Sequence, residues 1–162
     1  MKKFTVVVIT FISIIYSIIS NAQDTKTFKV DRIIDGDTIV VNNKTKIRLA
    51  YIDAYEKDSI IHKEIMTFVT PLLKGKNIKV EVNGIDQYQR LIGVVFLEDG
   101  TNFNYLLVQK GYAVLYEGYC KKKSMEYKML KSFENEAKLN KLGGWGLNLN
   151  IPSVDRKLKK QK

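Results

Sequence analysis

Two short stretches of this sequence hold polar residues whose types and spacing could do chemistry. The first is the turn Ile34-Asp35-Gly36-Asp37-Thr38, and the second contains Arg48, Asp53 and Glu56. Carboxylates are hard oxygen ligands for a divalent cation, a guanidinium binds phosphate, and a glutamate can activate water. Hydrolysis of a phosphodiester needs all three functions, because water is a weak nucleophile and the phosphate is already negative. The pattern therefore predicts a metal-assisted phosphodiesterase site.

A second arginine, Arg90, follows the polar turn Asp86-Gln87-Tyr88-Gln89 and could bind the other side of the same phosphate. Arginine suits this task better than lysine, because its flat guanidinium gives two parallel hydrogen bonds. Taken alone, each residue also has an ordinary structural interpretation: Asp37 as a turn residue, Glu56 as a solvated loop acid. The functional interpretation depends on their combination, in a chain where lysine greatly outnumbers arginine.

Strand patterns dominate the first half of the chain and must position these side chains. Runs of β-branched and apolar residues indicate strands at 28–34, 38–41, 44–51, 78–82 and 91–97, with a tight turn at Asn42-Asn43. In the third strand, Arg48 points away from the apolar row. Asp53 is predicted to end that strand, so antiparallel pairing with the second strand would bring it near Asp37. Five strands in this arrangement indicate a small closed barrel.

Three helical patterns complete the expected elements. The first covers residues 61–72, where Pro71 would kink or end the helix and Gly75 would stop it. The second begins at the capping residue Asn102 and ends at Gly111. The third is closed by Gly143-Gly144, and its methionine and aromatic stripe indicates core packing rather than a cofactor site. That stripe comprises Met125, Met129, Leu130, Phe133 and Ala137.

With these motifs in this order, residues 28–145 resemble the thermonuclease family, the staphylococcal-nuclease-like calcium-dependent nucleases. The resemblance implies an α+β fold, a five-stranded OB-fold β-barrel with about three α-helices. It also implies an endonuclease that hydrolyses DNA, and RNA as well, with low sequence preference and with 3′-phosphate products. Ca²⁺ is the implied cofactor. No obligate protein partner is expected, and the implied state is a monomer.

The resemblance also implies a role for each matching residue. Arg48, Glu56 and Arg90 would be catalytic. Asp37, Asp53 and the backbone carbonyl of Ala54 would bind the metal. Tyr88, Tyr116 and Tyr119 would contact the nucleotide, although packing is an equally good interpretation of the last two. Trp145 is expected to be structural.

The chain departs from the family pattern at three positions in or next to these motifs. Ala54 and Tyr55 stand where the family usually has threonine and proline, and Gln89 replaces a glycine. A carbonyl ligand survives a change of side chain, so metal binding at Ala54 is still expected. Loss of the proline predicts a looser loop around Glu56.

The N-terminus has the pattern of a signal for export. Lys2 and Lys3 precede an apolar stretch, and Ser20-Asn21-Ala22 fits a small-x-small cleavage site after Ala22. An uncleaved membrane anchor is the alternative, but the apolar stretch is short of the roughly 20 residues that a spanning helix needs. We expect a secreted or periplasmic protein, with a signal peptide at 1–22, a short leader at 23–27, a nuclease-like domain at 28–147 and a basic tail at 148–162.

Composition narrows the possible chemistry further. Cleavage would remove two lysines and no acid, which lowers the formal charge from +10 to +8 and still suits a polyanionic partner. The one cysteine, Cys120, cannot form an intramolecular disulfide, so stability must come from a hydrophobic core. The one histidine, His62, excludes zinc clusters and two-histidine relays, which leaves a carboxylate as the expected general base.

Two other functions fit part of the sequence. A non-catalytic OB-fold module could bind single-stranded nucleic acid through a basic face without cutting it. A basic exported protein could also adhere to anionic surface polymer or lipid. The second alternative accounts for the lysines but not for the ordered set of carboxylates and arginines. It predicts that function survives Arg48→Ala.

Overall fold

The computed structural model describes residues 25–153, which form seven strands, three α-helices and one 3-10 helix. The strands are β1 Thr25–Asp35, β2 Thr38–Val41, β3 Thr45–Leu49, β4 Ile52–Ala54, β5 Asn77–Ile85, β6 Leu91–Phe96 and β7 Ala113–Leu115. The helices are α1 His62–Leu73, α2 Phe103–Gln109, α3 Met125–Leu139 and the 3-10 helix Gly143–Trp145.

Five of the strands close into a barrel in the order β1-β2-β3-β6-β5. Every pairing in it is antiparallel except that of β3 with β6, which is parallel. The predicted closed barrel with about three helices is therefore confirmed, and it has the α+β architecture of an OB-fold. Strands β4 and β7 form a separate antiparallel pair beside the barrel.

The β2–β3 hairpin fixes the direction in which Arg48 points. Asn42 and Asn43 both have positive φ angles, 48° and 67°, which the tight hairpin turn requires and asparagine tolerates. Ile47 and Leu49 are buried in the barrel core, while Arg48 between them lies on the outer face, as predicted. Its register partner is Thr38, directly after Asp37. The hairpin therefore places Arg48 next to the Asp37 turn.

The third strand is shorter than predicted, and the prediction that Asp53 ends it was wrong. β3 stops at Leu49 because Tyr51 has a φ angle of 66°, a left-handed conformation that turns the chain out of the barrel. Asp53 lies instead in β4, where it pairs with Val114 of β7. The barrel also begins earlier than predicted, since β1 includes Thr25–Asp35 and its first residues pair with β5.

All three predicted helices are present, but α3 ends at Leu139 and not at Gly143-Gly144, which lie in the 3-10 helix. Two further differences concern α1 and the buried face of α3. Pro71 does not end α1, which continues to Leu73 before Gly75 stops it with a φ angle of 75°. In α3, Met125 and Met129 were predicted to pack in the core, but they are 66% and 37% exposed. The buried face of α3 consists of Leu130, Glu134 and Ala137 instead.

Within residues 25–153, none of the helices combines the length and apolar character that crossing a bilayer requires. The predicted signal peptide at 1–22 lies outside the described residues, and so does most of the predicted tail at 148–162.

Candidate active site

The turn between β1 and β2 holds Asp37 in a fixed, buried position. Its backbone N–H is hydrogen-bonded to Asp35 Oδ1 at 3.2 Å, and the Thr38 hydroxyl donates to Asp37 Oδ1 at 3.1 Å. Gly36 allows this turn to pack against β4, since a Cβ there would lie 2.8 Å from the Ala54 Cβ. The Ala54 backbone N–H in turn donates to Asp37 Oδ2 at 2.7 Å. The turn and β4 are therefore joined directly at Asp37.

Arg48 connects the two aspartates that the sequence predicted as metal ligands. Its Nη1 lies 3.0 Å from Asp37 Oδ2, and its Nη2 lies 3.2 Å from Asp53 Oδ1. Nη1 also donates to the Leu49 carbonyl at 3.1 Å. The side chains of Asp37 and Asp53 are 10% and 3% exposed, so both carboxylates meet the guanidinium with little water around them. The predicted proximity is confirmed, although Asp53 reaches it from β4 and not from β3.

The cluster of Asp37, Arg48 and Asp53 has two carboxylates and only one guanidinium. Burial raises the pKa of Asp37 to about 7, and the negative charges of Asp35 and Asp53 act in the same direction. The guanidinium of Arg48 and the Ala54 amide oppose the rise without cancelling it. A carboxylate that is hard to ionise beside one arginine would be ionised more easily with a further cation nearby.

The donor atoms fit a hard divalent cation such as Ca²⁺, because carboxylate oxygens are its preferred ligands. Among the described residues, no three acidic, histidine or cysteine side chains converge on one point, so the protein would contribute few side-chain ligands. Asp37 and Asp53 would hold the ion, and the remaining ligands would be backbone, water and substrate oxygens. The Ala54 carbonyl stays a prediction, since the observed link to this residue is through its N–H.

Glu56 lies just beyond β4, three residues after Asp53. It is half-buried, whereas the three residues before it are buried and Lys57 and Asp58 after it are exposed. The Ser59 N–H donates to the Glu56 carbonyl at 3.0 Å, so a turn follows immediately and leads toward α1. Glu56 is therefore at the edge of the core, three residues after Asp53 and partly open to water.

Arg90 is held by an acid that the sequence analysis treated only as part of a turn. Asp86 Oδ2 accepts from Arg90 Nε at 2.8 Å and lies 2.7 Å from Nη2, while Asp86 Oδ1 accepts from the Arg90 backbone at 3.0 Å. Burial opposes the shift, but the hydrogen bonds from Arg90 and the Tyr88 amide lower the pKa of Asp86. The ion pair orients the guanidinium and leaves its other N–H groups to bind an anion.

A cleft of about 340 Å³ is lined by Lys46, Tyr88 and Arg90. Tyr88 is 69% exposed, and the Arg90 guanidinium lies 5.4 Å from the centre of its ring. Lys46 reaches this cleft because the parallel pairing of Ile47 with Leu91 places the preceding residues, Lys46 and Arg90, side by side. The sequence analysis missed Lys46, and only the β3–β6 register could have identified it.

Tyr116 and Tyr119 lie on the loop after β7, beside the strand that contains Asp53. The Tyr116 N–H donates to the Tyr51 carbonyl at 2.8 Å, which continues the β4–β7 pairing. The two rings contact each other with centroids 5.2 Å apart, and Tyr119 is 70% exposed. The loop therefore presents an aromatic surface, so Tyr119 is not a core packing residue.

The remaining predicted residue, Trp145, lies in the 3-10 helix, where Lys138 Nζ is 4.4 Å from its ring centre. Sequence patterns gave no reason to single out Lys46, whose place beside Arg90 depends on the β3–β6 pairing, whereas Asp86 was quoted only as part of its turn. Asp35, which the sequence analysis quoted only as part of the turn, also contacts Asp37.

Comparison with known proteins places this geometry in a family. Residues 46–146 match the family described as Staphylococcal nuclease homologue. A protein named "Uncharacterized endonuclease" from Escherichia coli O157:H7 is 36% identical over 120 residues, which cover 72% of this chain and 75% of that protein.

Two further relatives agree with this match. A protein named "Uncharacterized endonuclease" from Haemophilus influenzae is 31% identical over 160 residues, covering 95% of this chain and 86% of its own. A protein named "Micrococcal nuclease" from Shigella flexneri is 33% identical over 128 residues, 72% of each chain. The chain belongs to the staphylococcal nuclease family and is a phosphodiester-hydrolysing enzyme.

Proposed function

We propose that this protein is an exported, Ca²⁺-dependent endonuclease that hydrolyses DNA and RNA with low sequence preference and leaves 3′-phosphate ends. One observation carries the proposal more than any other, the bridging of two buried carboxylates by Arg48. Family membership and the names of the relatives support the endonuclease activity. The charge of the chain supports a polyanionic substrate.

In this proposal Asp37 and Asp53 would hold the cation, which would supply positive charge against the negative charge of the substrate phosphate. Arg48 lies beside that position, where its guanidinium can donate to a phosphate oxygen and offset charge that grows in the transition state. Arg90, oriented by Asp86, binds the phosphate from the other side. Arg48 lies in β3 and Arg90 lies in the β5–β6 turn, so two different elements would bind the phosphate.

Glu56 would receive the proton of the attacking water or orient that water for in-line attack. Its half-buried position suits this role, because a base must reach both the phosphate and solvent. The leaving group is the 5′ oxygen of the next nucleotide, and its departure leaves the phosphate on the 3′ side. Tyr88 and the Tyr116–Tyr119 loop would contact bases or sugars by stacking, which tolerates any sequence.

A binding module without catalysis is the second candidate, because the exposed Tyr88, Tyr119 and lysines would suit single-stranded nucleic acid on their own. Digestion separates the two. Purified protein is incubated with denatured DNA, duplex DNA and RNA, with Ca²⁺ or with a chelator, and both fragment length and end chemistry are measured. Ca²⁺-dependent shortening with 3′-phosphate ends is expected. Tight, salt-sensitive binding with no shortening would identify a binding module.

Export has its own test. Expression of the full chain in a bacterial host should give a secreted or periplasmic product whose N-terminal residue is Gln23. A product that keeps residues 1–22 and remains with the membrane fraction would contradict cleavage after Ala22.

A further inference from the structure

Tyr55, directly before Glu56, occupies an unusual place for a residue of a loop. It is 3% exposed and belongs to the hydrophobic core cluster. Lys57 and Asp58 after Glu56 are exposed, and the turn that follows leads to Ile61, where the chain returns to the core. Tyr55 is therefore the core residue directly next to Glu56.

The tip of the Tyr55 ring is seated against the backbone of Gly144. A Cβ on Gly144 would lie 2.2 Å from both Cζ and Oη of Tyr55, a distance that real atoms do not tolerate. Gly144 cannot easily move away, because its N–H donates to the Gly111 carbonyl at 2.9 Å and its carbonyl accepts from Leu149 at 3.0 Å. Only glycine leaves room for the ring, so Tyr55 and Gly144 fit each other as a pair.

The Tyr55 ring is held in place by packing and not by a hydrogen bond of its hydroxyl. Among the described residues, Tyr55 Oη is buried without a hydrogen-bond partner. Burial raises the pKa of Tyr55 to about 12, and the charge of Glu134 adds to the rise. Glu134 itself is occupied by Lys131 and Lys138, at 3.0 and 3.1 Å. The hydroxyl thus makes no hydrogen bond that phenylalanine would lose.

We propose that Tyr55 is a positioning residue for catalysis. Its ring packs against the backbone of Gly144 in the 3-10 helix and so fixes the position of the neighbouring Glu56. This inference rests on the proposed role of Glu56 in activating water. The sequence predicted a looser loop where proline is absent, and the seating of Tyr55 against Gly144 supplies the missing rigidity by tertiary contact. Position matters because a displacement of about 1 Å in a catalytic group can cost about 100-fold in rate.

The first test compares Tyr55→Leu with Tyr55→Phe. Leucine keeps an apolar core residue but does not reach Gly144, so turnover should fall about 10- to 100-fold with KM little changed. Phenylalanine keeps the ring and removes an unpaired buried hydroxyl, so activity should persist and the melting temperature should be unchanged or higher. Equal turnover in Tyr55→Leu and wild type would overturn the inference.

Gly144→Ala gives the same test from the opposite side of the contact and serves if Tyr55→Leu does not fold. The added methyl group must displace the ring, so turnover should fall while Ca²⁺-dependent binding of an uncleavable phosphorothioate DNA is retained. The double variant Tyr55→Leu, Gly144→Ala refills the space and should recover part of the lost turnover. A double variant that is worse than both single ones would contradict the fitted pair.

A double-mutant cycle with Glu56→Gln separates positioning from general loss of structure. If Tyr55 acts through Glu56, Tyr55→Leu should reduce turnover strongly in wild type and hardly at all in the Glu56→Gln background. The same fold reduction in both backgrounds would overturn the inference and leave the nuclease assignment intact. Full turnover of Glu56→Gln alone would instead remove the proposed role of Glu56.

Discussion

The Asp37–Arg48–Asp53 cluster and the cleft of Lys46, Tyr88 and Arg90 are built in opposite ways. In the cluster, charged groups are buried, and ion pairs of 3.0 and 3.2 Å join three segments, the β1–β2 turn, β3 and β4. In the cleft, Tyr88 is 69% exposed, and the ion pair that orients Arg90 lies within one turn, which Lys46 of β3 approaches from the neighbouring strand. The comparison indicates that core packing fixes the side chains of the cluster, whereas those of the cleft depend on a surface turn.

Arg48→Ala should show the largest effect, because it removes a phosphate ligand and leaves two buried carboxylates without their cation. We expect turnover to fall about 1,000-fold. The free energy of unfolding without metal should fall by about 3 kcal/mol, as when one partner of a buried ion pair is removed. Urea unfolding with and without Ca²⁺ measures this free energy, and Ca²⁺ should restore part of the stability that Arg48→Ala loses. Unchanged stability in the metal-free variant would contradict the buried cluster.

Arg90→Ala should come next, with turnover about 100-fold lower, because the proposed phosphate contact of this guanidinium is made from a surface turn. Asp86→Asn keeps a side chain of similar shape but weakens the ion pair with Arg90. Turnover should therefore fall less than in Arg90→Ala, and kcat should change more than stability. The two variants are compared by steady-state kinetics and thermal melting. An Asp86→Asn effect larger than that of Arg90→Ala would mean that Asp86 has another function.

The raised pKa of Asp37 predicts a pH dependence of metal binding. Its pKa is raised to about 7 by burial. If Asp37 holds Ca²⁺ as proposed, protons would compete with the ion below that pH. Apparent Ca²⁺ affinity should fall about tenfold per pH unit as pH falls from 7 to 5. Calorimetric titration at several pH values measures it. Affinity that is constant over this range would contradict the assigned ligand.

The raised pKa of Asp37 also predicts how the stability of the metal-free protein depends on pH. Because the pKa is higher in the folded protein than in the unfolded chain, the folded state binds more protons between the two values. Metal-free protein should therefore gain stability as pH falls from 7 toward 4, relative to Asp37→Asn, which lacks this titration. Equal pH slopes for the two proteins would contradict the shift.

Lys46→Gln should have the smallest effect and should alter binding alone. We expect KM to rise a few fold with kcat unchanged, and the salt slope of kcat/KM to decrease by nearly one, as for loss of one phosphate contact. Lys44→Gln in the neighbouring hairpin turn is the matched control and should leave both quantities unchanged. A large fall in kcat for Lys46→Gln would place this residue in the chemistry rather than in substrate binding.

The sequence predicted the local parts of this molecule well and the tertiary links poorly. Alternation in β3 placed Arg48 on the outer face, and Asn42-Asn43 gave the hairpin turn, because both are set by neighbouring residues. The exit of the chain at Tyr51 was missed, since a left-handed tyrosine has no sequence signal. The seating of Tyr55 against Gly144 was also missed, because only folding brings these two positions together.

The most direct test of the central claim is the digestion of DNA by wild type and Glu56→Gln in Ca²⁺, with binding of the same DNA measured in parallel. Wild type should shorten the DNA, Glu56→Gln should reduce turnover by orders of magnitude, and both proteins should bind the DNA equally well. Equal turnover of the two proteins, or binding by wild type without any Ca²⁺-dependent shortening, would contradict that claim.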